Sequence, residues 1–379
     1  MAATNLPPKS YFDAMQSVPP LKVTDPRVSR QISAADDPIG LGIFKGHLTV
    51  LFYYGKVTKE EGLGLAVAGC IKESLGKAFM EQPILSGRLR RRRDDDDQDG
   101  NIGELEIVSN DAGARLIEAK IPISLQEFLD LKERKDLEAE LVFWKDLDEQ
   151  NPQFSPLLYV QVTSFQCGGY SVGISCSLLV ADLLVMDNFL NRWSNIHTEV
   201  MSENGKVQAP IFYHPNLKPS SFSAHTIISS RGSNMRSTGQ TLIFKIADHE
   251  SITDWREESC KKLASLCIEE AERKISNAQL PLEFSLFMKE SHQEVMKVKN
   301  FKKDEVMIIS KPPLKFKNVV SFSSWDDLGL KEVAFQKGNE PAHTSCWITV
   351  PNLGGLVIAI PSPNKAALMA SIIVNIPEI

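Results

Sequence analysis

The chain has 379 residues, 42% of them hydrophobic and 24% charged, with a formal net charge of −6. That length can bury one large core or two medium ones, and the acidic balance, with a pI near 5.8, argues against a nucleic-acid or anionic-membrane partner. Residues 1–10 carry no basic region ahead of an apolar core, and no apolar run reaches membrane-spanning length, so a cytoplasmic protein is expected.

In chain order, residues 1–30 are punctuated by prolines and read as an extended lead-in. Ile32 to Asp36 follows, then an apolar run from His47 to Tyr54 that reads as a strand. Gly64 to Met80 is an amphipathic helix, with Val67, Ile71, Leu75 and Phe79 at every fourth position. It ends at Pro83-Ile84-Leu85-Ser86-Gly87-Arg88-Leu89. Arg90 to Arg93, then Asp94 to Asp97 and Asp99, form a block of opposite charges. This reads as a solvated hairpin loop whose halves partly neutralise each other, rather than as a docking patch. Gly103 to Ala119 alternates as a strand, a turn at Asn110 to Gly113, and a second strand. Pro156 to Phe165 is one more strand.

The stretch from Cys167 to Trp193 organises the chain. Its first half, through Ser177, has small and β-branched residues and reads as a buried strand. Its second half reads as a helix, with Met186, Phe189, Leu190 and Trp193 on one apolar face. Asp182 falls near the turn between them, where a carboxylate can meet free backbone amides. Residues 198–240 are rich in Ser, Asn, Pro and Gly and read as a crossover between residues 1–197 and 241–379. The second half opens with a strand, Thr241 to Ile246. A helix follows with Ile252, Trp255, Leu263, Leu266 and Cys267 inward, then another near Leu282 to Val298. Val306 to Ser310 reads as a short strand and Lys365 to Ala370 as a helix.

Several of these segments resemble the plant BAHD acyltransferases. Ile32 to Asp36 is similar to the family's Leu-Ser-x-x-Asp element, Pro83 to Leu89 to its Pro-Leu-Ala-Gly-Arg-Leu run, and Asn110-Asp111-x-Gly113-x-x-x-Ile117-Glu118-Ala119 to a further family segment. The strand and turn ending at Asp182, followed by Phe189-x-x-x-Trp193, resemble the region of the family's His-x-x-x-Asp-Gly motif. Here Leu178 stands at the position of the His and Leu183 at that of the Gly. Val319 to Lys331 occupies the place of the second signature, Asp-Phe-Gly-Trp-Gly-Lys. Asp327, Gly329 and Lys331 match it, with Leu328 for Phe, Leu330 for Trp and the second Gly absent. A Tyr-Phe-Gly-Asn-type element expected before it is missing, and Gly354 to Ile360 resembles the family's closing strand.

The resemblance implies an α/β fold of two chloramphenicol-acetyltransferase-like two-layer domains with mixed sheets, the second shortened. It implies that Asp182 is structural and pairs with an arginine, and that Ser175, Ser177, Leu178 and Asp182 lie along a substrate channel. It implies acyl-CoA as the ligand and, since leucine can neither accept nor donate a proton, no intact catalytic residue. The eceriferum-type accessory proteins of wax synthesis are the family analogy. They suggest a monomer that works with a protein such as a fatty-acid elongation enzyme, which would bring it to the endoplasmic reticulum. The other reading is an active O- or N-acyltransferase that uses a different base.

Ser175, Cys176 and Ser177 read as buried structural residues rather than nucleophiles, because none of the seven histidines lies near them in sequence. The six cysteines are scattered and read as reduced, mostly buried thiols. No zinc spacing, phosphate loop or dinucleotide fingerprint is present.

Overall fold

The structure is a computed structural model that describes residues 9–34, 42–56, 64–92, 104–185, 188–203, 239–247, 255–275, 280–290, 295–302, 320–335, 338–350, 354–362 and 368–377. The strands of the first half are β1 (Tyr11–Val18), β2 (Ser29–Ala34), β3 (His47–Tyr54), β4 (Arg88–Arg91), β5 (Leu105–Val108), β6 (Ala114–Ile121), β7 (Leu158–Phe165) and β8 (Tyr170–Ser177). Its helices are α1 (Gly64–Ala78), α2 (Leu125–Leu129), α3 (Arg134–Leu137), α4 (Ala181–Val185) and α5 (Phe189–Glu203). The second half carries β9 (Gln240–Ala247), α6 (Glu257–Lys274), β10 (Glu283–Lys289), β11 (Val295–Lys302), β12 (Val320–Ser323), β13 (His343–Thr349), β14 (Gly355–Pro361) and β15 (Leu368–Ile376).

These strands form two mixed sheets, as expected for the α/β class. The first runs β1-β6-β7-β8-β3-β13 and the second β12-β9-β15-β14-β10-β11-β2-β5-β4. The parallel pairs are β6 with β7, β10 with β14, and β11 with β2. The halves of the chain exchange strands. β2, β4 and β5 extend the second sheet, and β13 crosses back to the edge of the first. β3 is buried along its whole length because both of its faces are covered. Leu48, Val50, Phe52 and Tyr54 join the large core, while Leu51 and Tyr53 pack with Phe128, Leu141 and Trp347 on the other side. This two-sided burial explains why the run reads as continuously apolar rather than alternating.

Several expectations are corrected. The lead-in contains two strands. β1 pairs with β6 at a sheet edge, and its alternating exposure is that of a strand with one solvated face. The two strands expected either side of Asn110–Gly113 are present, and they enter different sheets, β5 the second and β6 the first. The turn between them holds Asp111 at φ 57° and Gly113 at φ 78°, where a Cβ would run into Val18 O. The expected helix near Leu282–Val298 is the β10–β11 hairpin, and its alternating burial is the reason. Leu368–Ala370 begins β15, so β14 does not close the sheet, and β13 was not foreseen.

In α6 the inward residues are Cys260, Leu263, Ala264, Cys267, Ile268 and Ala271. Leu266 is only half-buried, one step off that stripe. The crossover begins later than residue 198, since α5 runs to Glu203. All six cysteines are free, but only Cys176, Cys260 and Cys267 are buried, and Cys167 is exposed in the β7–β8 turn. Ala35 and Asp36, the charge block from Arg93 to Asp99, Met186, residues 204–238, Ile252, the 306–310 strand and Lys365 lie outside the described residues.

Candidate functional site

The site begins where β8 ends. Ser177 is fully buried, and its amide donates to Leu157 O at 2.9 Å. Its Oγ accepts from Leu179 N at 3.3 Å, capping a short 3-10 turn over Leu178–Val180. α4 follows directly, and α5 starts only after Asn188, held at φ 59°. The single helix expected from the periodicity is therefore three pieces, because the chain must turn sharply at the end of a buried strand.

Leu178 is 1% exposed. Its amide donates to Gly46 O at 3.3 Å. A Cβ on Gly46 would lie 2.6 Å from Leu178 Cδ1, so glycine at 46 and leucine at 178 are matched in shape. Leu179, Val180, Leu183 and Leu184 are buried around it in the large core. No side chain of this turn from Leu178 to Ala181 can move a proton.

Asp182 is fully buried and meets the arginine expected of it. Arg30, on β2, places its two terminal nitrogens 2.7 and 3.0 Å from the carboxylate oxygens. The same guanidinium donates to Leu179 O at 3.1 Å, which ties it to the 3-10 turn. Lys289, at the end of β10, brings Nζ within 3.2 Å of Asp182 Oδ2. Both cations come from the second sheet, so this carboxylate pins the turn of the first sheet to the second. Neither was foreseen. The available signal for Arg30 is its place two residues before Ile32, on the buried face of an alternating strand.

Ser175 and Ser177 point to the sheet face opposite Ile174 and Cys176, as strand alternation requires. Ser175 Oγ lies 3.3 Å from Thr49 Oγ1. Burial and the nearby Asp182 charge both push the Cys176 thiol up, so it stays protonated. A histidine does approach this turn in the fold. His47 stands opposite Ser177 across the β3–β8 ladder. Its ring stacks on Trp144 at 4.6 Å, and Nδ1 lies 3.2 Å from Lys45 O. Burial pulls its pKa down to about 4.

The segment expected to carry the second signature lies against α5 and β9 instead. Asp327 accepts from Ser324 N, Ser324 Oγ and Ser323 Oγ at 2.8, 3.1 and 3.2 Å. Gly329 has φ 76°, and a Cβ there would lie 3.1 Å from the Asn191 amide nitrogen. Leu330 enters the large core, whereas Lys331 is exposed. Just beyond, Tyr54 donates to Val333 O at 2.6 Å, and Phe335 packs edge-on against Trp193 at 4.6 Å. Beneath them Trp193 Nε1 donates to Ser74 Oγ at 3.0 Å, which lies 2.9 Å from His197 Nδ1. Burial lowers the His197 pKa to about 4. This network locks α5 onto α1. Among the described residues no group of acidic, cysteine or histidine side chains could hold a metal ion.

Two mixed sheets are thus joined through a buried aspartate just beyond the end of the first sheet's β8. A family model described as "Transferase family" matches residues 31–279, and the chain belongs to this family, the plant BAHD acyltransferases. It is 29% identical over 140 residues to Protein ECERIFERUM 26-like of Arabidopsis thaliana, covering 37% of this chain and 30% of that one. It is 30% identical over 171 residues to a 3'-N-debenzoyl-2'-deoxytaxol N-benzoyltransferase of Taxus canadensis, covering 45% and 35%. The matches thus span about a third of these relatives' length. Vinorine synthase superposes over 97% of this chain and 94% of its own, at 13% identity and a TM-score of 0.46.

Proposed function

We propose that this chain is a BAHD-family protein in which the motif turn no longer supplies a general base, and that it acts by binding an acyl-CoA or acyl chain as an accessory or regulatory protein of plant lipid or specialised metabolism. The observation that carries the reading is Leu178, buried to 1% exposure against Gly46 at the position of the family's histidine. A positioned base contributes about 10²- to 10⁴-fold to rate, and that contribution is lost. Binding and orientation of a thioester do not depend on it. The likeness to ECERIFERUM 26-like is consistent with an accessory role and with a partner among fatty-acid elongation enzymes. Ser175, Ser177, Leu178 and Asp182 would then shape the acyl site rather than perform chemistry. The expected result is that the purified chain binds long-chain acyl-CoA without releasing free CoA in the presence of hydroxyl or amine acceptors. Rapid CoA release would overturn the reading.

One observation favours an active transferase instead. In His47, a donor Nδ1 facing Lys45 O leaves Nε2 as a proton acceptor one strand away from the motif turn. A ring whose pKa has fallen to about 4 is a weak base, which ranks this reading second. If wild-type turnover is found, His47→Gln should abolish it.

Restoring the base tests the first reading from the other side. Leu178→His, alone or with Leu183→Gly, should raise thioester cleavage by at most about 10²- to 10⁴-fold if acyl-CoA already binds. Wild type as fast as the variant, or no binding by either, would sink it.

A further inference from the structure

We propose that Arg115, Tyr159 and Ser17 form a binding site for a phosphate or sulfate group on the face of the first sheet turned away from the large core. Arg115 on β6 and Tyr159 on β7 stand side by side in the parallel β6–β7 ladder, while the next residues, Leu116 and Val160, point the other way into the large core. Ser17 is paired with Arg115 from β1, and the guanidinium donates to its Oγ at 2.5 Å. The Tyr159 ring is 3% exposed and packs against Phe143 and Trp144. Its hydroxyl forms no hydrogen bond among the described residues. Burial pushes this phenol up to about 12, so it is a donor at neutral pH.

Arg88 adds a second positive charge to this group. It is 4% exposed, and its guanidinium donates to Gly87 O, Gly113 O and Ala112 O at 2.8, 2.7 and 3.2 Å, just ahead of Arg115. All three partners are neutral carbonyls. Burial, and then the like charge of Arg115, pull the Arg88 pKa down to about 10, so it stays charged at neutral pH. An anion held at Arg115 would offset that repulsion. The carboxylate that acts on Tyr159 is Asp146, which already accepts from Trp144 Nε1 at 2.9 Å. Asp111, in the turn before β6, is turned to Thr24, whose N and Oγ1 donate to its two oxygens at 3.0 and 2.6 Å. A guanidinium fork, a phenol and a hydroxyl, with a buried cation behind them, suit a group that carries several acceptor oxygens and more than one negative charge. A carboxylate group offers two oxygens and a single charge, and fits this set less well.

None of these residues belongs to the motif turn, so the inference stands apart from acyl transfer or acyl binding. The test is calorimetric titration of the purified full chain with inorganic phosphate, beside sodium sulfate and sodium acetate at matched ionic strength. Phosphate and sulfate should bind and raise the thermal unfolding temperature, and acetate should do so much less. Arg115→Gln and Tyr159→Phe should each weaken phosphate binding about tenfold, with thermal unfolding in the absence of phosphate unchanged. Arg115→Lys, which keeps the charge and loses the fork, should weaken it less than Arg115→Gln. Wild type that responds to phosphate no more than to acetate overturns the proposal. So does phosphate binding at wild-type strength in Arg115→Gln or in Tyr159→Phe, because the phosphate is then held elsewhere.

Discussion

Two aspartates, Asp182 and Asp327, are read from the sequence as signature positions, and the protein treats them oppositely. Asp182 has no solvent exposure, and Arg30 and Lys289 reach it from the other sheet. Asp327 is exposed and bonds to the two serines that precede it by three and four residues. Burial of the first requires long-range partners, since an unpaired carboxylate inside a protein is costly. The second is satisfied within its own loop and asks nothing of the rest of the fold. A motif residue can therefore hold two sheets together or shape one turn, and only its surroundings tell which.

The comparison breaks most sharply at Asp182. Asp182→Ala removes the buried carboxylate that Arg30 and Lys289 share, which should cost about 3–5 kcal/mol. Denaturant titration should show a large drop in midpoint or no soluble protein at all. A variant as stable as wild type would show that the two cations find water instead.

Acid supplies the next largest effect. His47, beside the motif turn, and His197, beneath the signature loop, are both held neutral in the fold at a pKa of about 4, against 6.5 in an unfolded chain. The unfolded state therefore binds more protons below pH 6.5, and stability falls as pH drops from there towards 4. Each site can contribute on the order of 3 kcal/mol. Thermal unfolding of wild type, His47→Gln and His197→Gln across that window should show a shallower pH slope for each variant. Equal slopes would mean that neither histidine stays neutral when folded.

Gly46→Ala should cost about 1–3 kcal/mol, because its methyl collides with Leu178 Cδ1. Leu178→Ala in the same chain should relieve that collision, and a double-mutant cycle measures the coupling. Additive effects would show that the turn shifts to make room.

The smallest effect belongs to Asp327→Ala. Loss of the Ser323 and Ser324 bonds should loosen the loop, seen as faster local proteolysis or amide exchange, with little change in the global unfolding midpoint. A drop comparable to that of Asp182→Ala would erase the distinction between the two.

Much of the architecture was legible because it is locally encoded. The apolar run His47–Tyr54, the fourfold spacing in α1 and the small, β-branched β8 each carry their own period, and the structure places them where that period predicts. The errors fall where local and long-range signals compete. Glu283–Lys289 and Val295–Lys302 pair with each other and with strands far away in sequence, so their partners decided between helix and strand. Lys289 was unreadable as an Asp182 partner for the same reason, since the two lie far apart in sequence.

By itself the sequence determined the fold class and the family, and supplied the residues Leu178 and Asp182 on which the proposed loss of a base rests. Those facts depend on residue identity along one continuous stretch. Only the tertiary structure decided that Arg30 and Lys289 supply the counter-charges and that Gly46 makes room for the leucine. Each of these is a contact between segments whose local patterns are silent about one another. Chain folding brings them together to satisfy buried charge and close packing, which are properties of the whole core and not of any window of sequence.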